Sequence, residues 1–237
     1  MEVRKVTRRE ALSLLGVTGA ALTLACGETP TSPSATTTTS TTTTTTGQSS
    51  TCAVAPTETV GPYPSLTDLI RSDIREGKNG VPVTLTLTVV NVNNGCSAVA
   101  NAAVDIWQCD AEGHYSQYSQ PGYNGTSETF LRGIQTTDAN GRVTFTTVYP
   151  GWYAGRATHI HIEVTVSGRS VKVTQIAFPE STTATVYASG IYAAKGLNPT
   201  SNAGDMVFAD SLSSELATVS GSVANGFSAT FTIGVAV

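Results

Sequence analysis

Apolar and polar residues alternate along most of the chain after residue 80, and this period of two predicts strands rather than helices. The alternation is clearest in VPVTLTLTVVNV at 81–92 and RVTFTTVY at 142–149, and it recurs in AAVDIWQC at 102–109. THIHIEVTV and SVKVTQIAF, joined across SGR, predict a further hairpin, and SATFTIGVAV predicts the last strand.

Turn sequences separate these runs, and helical patterns are scarce. In TDANG, Asp138 and Asn140 offer side-chain hydrogen bonds and Gly141 the positive φ that a tight hairpin needs. Only 65–77 and 183–196 are weak candidates for helices. The pattern therefore predicts an all-β protein, an antiparallel β-sandwich with long loops and little helix.

The first 25 residues have the character of an export signal. Basic residues precede ALSLLGVTGAALTLAC, an apolar stretch too short to span a bilayer. The pair Arg8 and Arg9 just before it is typical of the twin-arginine route. Ala25 before Cys26 resembles a lipobox, although its leucine stands one position too late, so Cys26 is predicted to be lipidated; an ordinary cleaved signal is the alternative.

Residues 26–51 predict a tether, since nearly all of 29–51 is Thr, Ser or Pro and too polar to offset the entropy of folding. This leaves 52–237 as one folded domain, long enough for its own core. We expect an exported protein, anchored as a lipoprotein in the periplasm or at the cell surface.

Charge and cysteine content narrow the possible partners. Outside the signal, 9 basic residues face 15 acidic ones, a net charge of −6, which argues against nucleic acid and against anionic membrane surfaces. Any membrane contact is then through the lipid anchor. Three cysteines remain, namely Cys52, Cys96 and Cys109, which predicts one disulfide and one buried thiol without deciding the pairing.

The stretch RATHIHIEV contains the main candidate chemistry. In a strand, His159 and His161 share one face about 6.5–7 Å apart, so both imidazoles can bind one metal ion. A carboxylate would complete an iron site and a third histidine a zinc site, whereas hydrogen-bonded histidines at a sheet rim need no metal. The candidates for a third ligand are His114, Glu163, Asp105, Asp110 and Glu128.

Beyond the histidines, five segments resemble the intradiol ring-cleavage dioxygenases, the family of catechol and protocatechuate dioxygenases, in its exported branch. In family order they are TETVGPYP at 57–64, AAVDIWQCDAEGHYS at 102–116, FLRGIQTTDANGRVTF at 130–145, PGWYAGRATHIHIEV at 150–164 and TQIAF at 174–178. Together they span most of the 52–237 domain. The resemblance implies a catalytic domain whose long loops carry the active site.

By this resemblance, the ligands of a non-haem Fe(III) ion fall on Tyr115, Tyr153, His159 and His161. The chemistry is consistent, because a phenol has a pKa near 10 and two tyrosinates need a strongly acidic cation at neutral pH. Tyr153 would also take a proton from the substrate.

The resemblance implies further roles around the metal. Arg156 and Gln175 would stabilise negative charge that develops on the substrate, while Gly61, Pro62 and Tyr63 would line its pocket. The expected reaction inserts both atoms of O2 into a catechol-type diol and yields a cis,cis-muconate-type product. The long N-terminal helical region of many intracellular members has no counterpart beyond 65–77, so the oligomeric state stays open.

Two other classes of protein share part of this pattern. A non-catalytic secreted β-sandwich binding module would explain the strands and the tether, with TDANG and PGWY as turns only. A zinc-type metal hydrolase would explain the histidine pair. Neither accounts for the two tyrosines together with Arg156.

Overall fold

The computed structural model describes residues 52–237. The predicted export signal, Cys26 and the tether lie outside the described residues. No helix between residues 52 and 237 is long and apolar enough to cross a membrane.

Strands dominate the fold, and a single α-helix, α1 (Glu180–Tyr187), is found among the described residues. Short 3-10 turns occur at Val92–Asn94, Gly190–Ala194, Asn202–Gly204 and Leu212–Ser214. The strands are β1 Pro82–Asn91, β2 Ser97–Ala98, β3 Ala103–Trp107, β4 Ser119–Gln120, β5 Tyr123–Asn124, β6 Arg132–Thr136, β7 Arg142–Val148, β8 His159–Val166, β9 Arg169–Ala177, β10 Thr218–Ser222 and β11 Gly226–Val235.

Two sheets form the sandwich, which confirms the predicted all-β class. The first has the order β10, β11, β1, β2, with β7 also paired to β1, and the second has the order β6, β3, β8, β9. Strands β4 and β5 form a separate small pair. Leu85 and Leu87 from the first sheet join Ile106 and Ile162 from the second in one fully buried core. The alternating pattern thus places one face of each sheet in the core.

One pairing departs from the antiparallel expectation. Strands β1 and β11 run parallel, in register from Val83 opposite Phe227 to Asn91 opposite Val235. A parallel pair needs a long crossover connection, and here almost the whole domain forms it. The alternating pattern of a strand predicts which of its faces is buried. It does not predict whether the neighbouring strand runs parallel or antiparallel to it.

The helix expected at 65–77 is wrong. This segment is irregular and follows the sheets, because the Arg71 and Ile74 N–H groups donate to the carbonyls of Ile134 and Thr146. Its apolar residues do not define a buried helical stripe, since Ile70 is 87% exposed. The expectation at 183–196 is partly met: α1 begins earlier, directly after Pro179, and the chain continues as the 3-10 turn Gly190–Ala194.

The structure has the expected one disulfide and one buried thiol, and it decides the pairing that the sequence left open: Cys52 bonds to Cys96, and Cys109 is the free, buried cysteine. The bridge fixes the start of a segment, residues 52–64, which we call the N-terminal arm. Lys172 Nζ donates to the Ala55 carbonyl and the Thr57 hydroxyl, both at 2.7 Å, and the Glu58 N–H donates to the Val173 carbonyl. The arm is therefore attached to β9, the neighbour of the strand that carries the histidine pair.

Candidate functional site

His159 and His161 open strand β8 on the outer face of the second sheet, while the alternating residues Ile160 and Ile162 enter the core. Loops cover this outer face, so the two imidazoles are only 2% and 1% exposed. Their Nε2 atoms lie 3.1 Å apart. The alternation seen in the sequence therefore brings two ring nitrogens together in a closed site.

The His159 ring is held in one tautomer. Its Nδ1 lies 2.6 Å from the Ala157 carbonyl, so Nδ1 carries the hydrogen and Nε2 keeps its lone pair. Burial, assisted by the charge of Arg156, lowers the pKa of His159 to about 3. Burial and then His159 likewise hold the pKa of His161 well below its usual range. Both rings are neutral and can offer nitrogen lone pairs.

The His161 ring is positioned by two neighbours. Trp107 stacks on it with ring centroids 5.0 Å apart and planes 3° from parallel. Gly61 approaches so closely that a Cβ there would lie 2.8 Å from His161 Cε1, and its φ of 71° also favours glycine. Any larger residue at position 61 would press on the imidazole.

Tyr115 and Tyr153 come from the loops after β3 and before β8, and their hydroxyls lie 3.4 and 3.3 Å from His159 Nε2. Tyr115 is fully buried, whereas Tyr153 is half-buried. Burial raises the pKa of Tyr153 to about 12 and that of Tyr115 well above its usual value. Without a cation, both phenols keep their protons.

This donor set fits a strongly acidic metal ion. His159 Nε2 has one lone pair, yet two phenols, the other imidazole nitrogen and the Arg156 guanidinium all lie within 3.4 Å of it. A cation among the two phenols and two imidazoles would take a lone pair from each and would lower the phenol pKa values. Tyr115, Tyr153, His159 and His161 are therefore the described residues that could hold a metal here.

Among the described residues, neither a carboxylate nor a third histidine completes a metal site with His159 and His161. Within residues 52–237, the one group of three His, Cys, Asp or Glu side chains with donor atoms within 4.8 Å of one another is Asp110, Glu112 and His114. That group excludes both strand histidines. His114 is half-buried, and its ring stacks on that of Tyr123 with centroids 4.2 Å apart.

Arg156 lies beside the cluster with its guanidinium held by two partners. Nη2 donates to Gln175 Oε1 at 2.6 Å, Nε lies 2.8 Å from Asp205 Oδ2, and Nη1 lies 3.4 Å from His159 Nε2. Gln175 is fully buried and its Nε2 donates to the Thr59 carbonyl on the N-terminal arm. Asp205 was not predicted, because it lies in a stretch without strand pattern, 49 residues after Arg156.

The N-terminal arm brings Gly61 and Tyr63 to the same place. The Tyr63 ring packs 4.8 Å from Tyr115 and 6.4 Å from Tyr153 by ring centroids, and its carbonyl accepts a hydrogen bond from Arg132. Pro62, between these two residues, is exposed. Arg132 is a further residue that the sequence did not single out; it is buried and also donates to Ser116, next to Tyr115.

Two carboxyl groups meet where the arm faces the 202–217 loop. Glu58 and Glu215 are close enough to affect each other's protonation, and Ser211 Oγ donates to Glu215 Oε2 at 2.6 Å. Burial, more than the nearby Asp210, raises the pKa of Glu58, and burial raises the pKa of Glu215 to about 7. Both carboxyl groups therefore hold a proton more readily than a solvent-exposed glutamate does.

Because the pKa of Glu215 is higher in the folded than in the unfolded chain, the proton stabilises the fold below about pH 4.5 and this stabilisation is lost as pH rises through about 7. We expect Glu215→Gln, which mimics the protonated form, to flatten this decline and to raise stability at pH 8 by about 1 kcal/mol. Urea unfolding at several pH values between 4 and 8 measures the free energy of unfolding of both proteins. The control is Glu112→Gln at an exposed carboxyl, and equal pH profiles for wild type and Glu215→Gln would contradict the expectation.

Taken together, a β-sandwich that closes two tyrosines and two histidines under long loops offers a donor set that fits one metal ion. The family model described as Dioxygenase matches residues 59–196. The chain belongs to the intradiol ring-cleavage dioxygenases, a family that uses non-haem iron and O2. This membership also counts against the reading of a simple binding module.

Solved structures agree with this assignment. An intradiol ring-cleavage dioxygenase from Tetranychus urticae is 30% identical, with a TM-score of 0.72 over 78% of this chain and 95% of that one. The dioxygenase domain of a dioxygenase carbohydrate-binding protein fusion from Streptomyces sp. SirexAA-E is 27% identical, with a TM-score of 0.59 over 78% and 99%. A hydroxyquinol 1,2-dioxygenase from Pseudomonas putida DLL-E4 shares the fold at 18% identity, with a TM-score of 0.57 over 77% and 66%. A search of curated proteins gave no match.

Proposed function

We propose that the protein is a non-haem Fe(III) intradiol dioxygenase that inserts both atoms of O2 into a catechol-type diol and gives a cis,cis-muconate-type product. The observation that carries this proposal is the convergence of Tyr115, Tyr153 and His161 on His159 Nε2, within 3.4 Å. In this proposal these four residues hold the iron. When bound, Fe(III) supplies Lewis-acid and electron-accepting chemistry that makes the catechol ring reactive towards O2.

The two tyrosines have different tasks in this proposal. Tyr115 is fully buried, with its backbone N–H bound to Gln120 Oε1, so it stays in place. Tyr153 is more exposed and lies in a loop, so its phenolate oxygen can accept a proton from an incoming catechol. Loss of this proton makes the catechol negatively charged, and a metal ion and the Arg156 guanidinium can both stabilise that charge.

Arg156 faces the position of that charge. Its Nη1 group points towards the His159 side of the cluster, while its other nitrogens are bound to Gln175 and Asp205. A fixed guanidinium in a site with little water stabilises developing negative charge without reorganisation. Gln175, fully buried, contributes by holding Arg156 and the arm carbonyl of Thr59.

Substrate would enter beside the N-terminal arm, where Gly61, Pro62 and Tyr63 adjoin the tyrosine pair. The tight approach of Gly61 to His161 leaves no room for a side chain there. We also propose that the enzyme acts outside the cytoplasm as an N-terminally anchored lipoprotein. The leader sequence and the disulfide between Cys52 and Cys96, a bond that persists in oxidising compartments, support this.

The test is to incubate the iron-loaded protein with a panel of catechols under ¹⁸O2 and to identify the products by mass spectrometry. We expect a ring-opened dicarboxylic acid with two labelled oxygen atoms, and a red protein because tyrosinate-to-Fe(III) charge transfer absorbs visible light. A colourless protein that stays inactive after ferric or ferrous loading would refute the proposal. A zinc hydrolase would instead keep its metal in Tyr115→Phe and Tyr153→Phe.

A further inference from the structure

Asp205 is a fully buried carboxylate from the 202–217 loop that reaches the edge of the site. Its Oδ2 accepts from Arg156 Nε at 2.8 Å and from the Ala157 N–H at 2.7 Å. Its Oδ1 accepts from the Val207 N–H at 2.9 Å and lies 3.1 Å from Arg156 Nε. A buried charge with this many donors has a fixed position, since any displacement would leave it unpaired.

The contacts of Arg156 fix its guanidinium and leave one nitrogen, Nη1, without a carboxylate or amide partner. Asp205 holds Nε, Gln175 holds Nη2, and Asn198 Nδ2 donates to the Arg156 carbonyl at 2.9 Å. The Phe208 ring lies 5.8 Å from the guanidinium carbon. The nitrogen left without a carboxylate or amide partner is Nη1, and this atom lies 3.4 Å from His159 Nε2.

The same carboxylate also acts on the histidine side. The backbone N–H of Ala157 donates to Asp205, and the backbone carbonyl of the same residue accepts the Nδ1 hydrogen of His159. Asp205 therefore contacts both the side chain of Arg156 and the backbone N–H of Ala157, the residue whose carbonyl sets the His159 tautomer. No other described carboxylate forms an ion pair with Arg156.

We propose that Asp205 is a positioning residue for ring cleavage: it holds the Arg156 guanidinium so that Nη1 faces the place where negative charge develops on the substrate. This rests on the proposed function. Asp205 touches neither substrate nor metal and acts through Arg156. Without it, the arginine can occupy other rotamers and loses the fixed orientation that makes such a donor effective.

A double-mutant cycle tests the proposal with Asp205→Asn, Arg156→Ala and the double variant. In Asp205→Asn, an amide N–H replaces an accepting oxygen and opposes the donors around it. We expect kcat with the best catechol to fall about 10- to 100-fold, with iron content unchanged. In the Arg156→Ala background the same substitution should change kcat by less than about twofold. Asp210→Asn, an exposed aspartate on the same loop, is the control and should resemble wild type.

The outcomes separate the possibilities. An equal fall of kcat in both backgrounds would mean that Asp205 has only a structural role and would overturn the proposal, as would wild-type kcat in Asp205→Asn. If Asp205→Asn fails to fold, Asp205→Glu, which keeps the charge but misplaces it, takes its place in the cycle. Anaerobic catechol titration of the visible spectrum gives substrate affinity without turnover, and we expect it to change much less than kcat.

A crystal structure of Asp205→Asn gives a readout that needs no activity. We expect Arg156 to leave its 2.6 Å contact with Gln175, and an unmoved guanidinium would overturn the proposal. If wild-type protein cleaves catechols but the cycle shows no coupling, the inference on Asp205 fails and the proposed function stands. If wild-type protein cleaves none, the proposed function fails, and the position of Arg156 in the variant still decides whether Asp205 holds it.

Discussion

Replacing His161 with alanine should remove most of the bound iron, the red colour and the ring-cleaving activity. The imidazole supplies one of four protein ligands in the proposed site, and its neutral state is secured by burial, which holds its pKa well below the usual range. Alanine offers no lone pair, and among residues 52–237 no carboxylate forms a donor group with the two strand histidines. His159→Ala should have the same effect. For each variant, metal analysis of the purified protein measures the iron content and visible absorption measures the colour.

His114→Ala is the matched control, because His114 is the one other histidine in the chain and stacks on Tyr123, away from the strand pair. It should keep its iron and its colour. Thermal unfolding of each variant separates ligand loss from misfolding, since His161 also packs against Trp107. Wild-type iron content in a folded His161→Ala protein would rule out the ligand assignment.

Arg156→Ala should keep the iron and lose turnover. The guanidinium is not a ligand, but it is the cation beside the cluster, and removing one fixed charge-stabilising donor typically lowers kcat about 10²- to 10³-fold. Burial raises the pKa of Tyr153 to about 12, and the charge of Arg156 keeps this pKa from rising further. The variant should therefore hold the Tyr153 proton more tightly, which a pH titration of the visible spectrum would detect.

Arg169→Ala, at the exposed start of β9, is the control for this change and should turn over like wild type. Steady-state kinetics with the best catechol, together with metal analysis, distinguish loss of catalysis from loss of iron. Unchanged kcat in Arg156→Ala would exclude its role in charge stabilisation and, with it, the task assigned to Asp205.

The sequence predicts the strands and the histidine pair well because both depend on a local period of two. His159 and His161 occupy the alternate positions that the pattern of β8 gives them. The tyrosines lie in loops, where no period operates, and only the resemblance to a family singled them out.

Interactions between distant segments explain what the sequence did not predict. The segment 65–77 has an apolar content that suits a weak helix, but its N–H groups bond to Ile134 and Thr146 instead. Asp205 and Arg132 carry common polar residue types, and their burial beside Arg156 and Tyr115 follows from the path of loops that no local pattern specifies.

The parallel pairing of β1 with β11 has a consequence for how the chain folds. Strand β1 lies inside its sheet between β11 and β7, yet β11 is the last strand of the domain. During synthesis one edge of β1 therefore stays unpaired until nearly the whole domain has left the ribosome. Contacts of such high sequence separation slow folding and prolong the exposure of an edge that can aggregate. Truncation before residue 226 should leave an insoluble chain rather than a smaller stable domain.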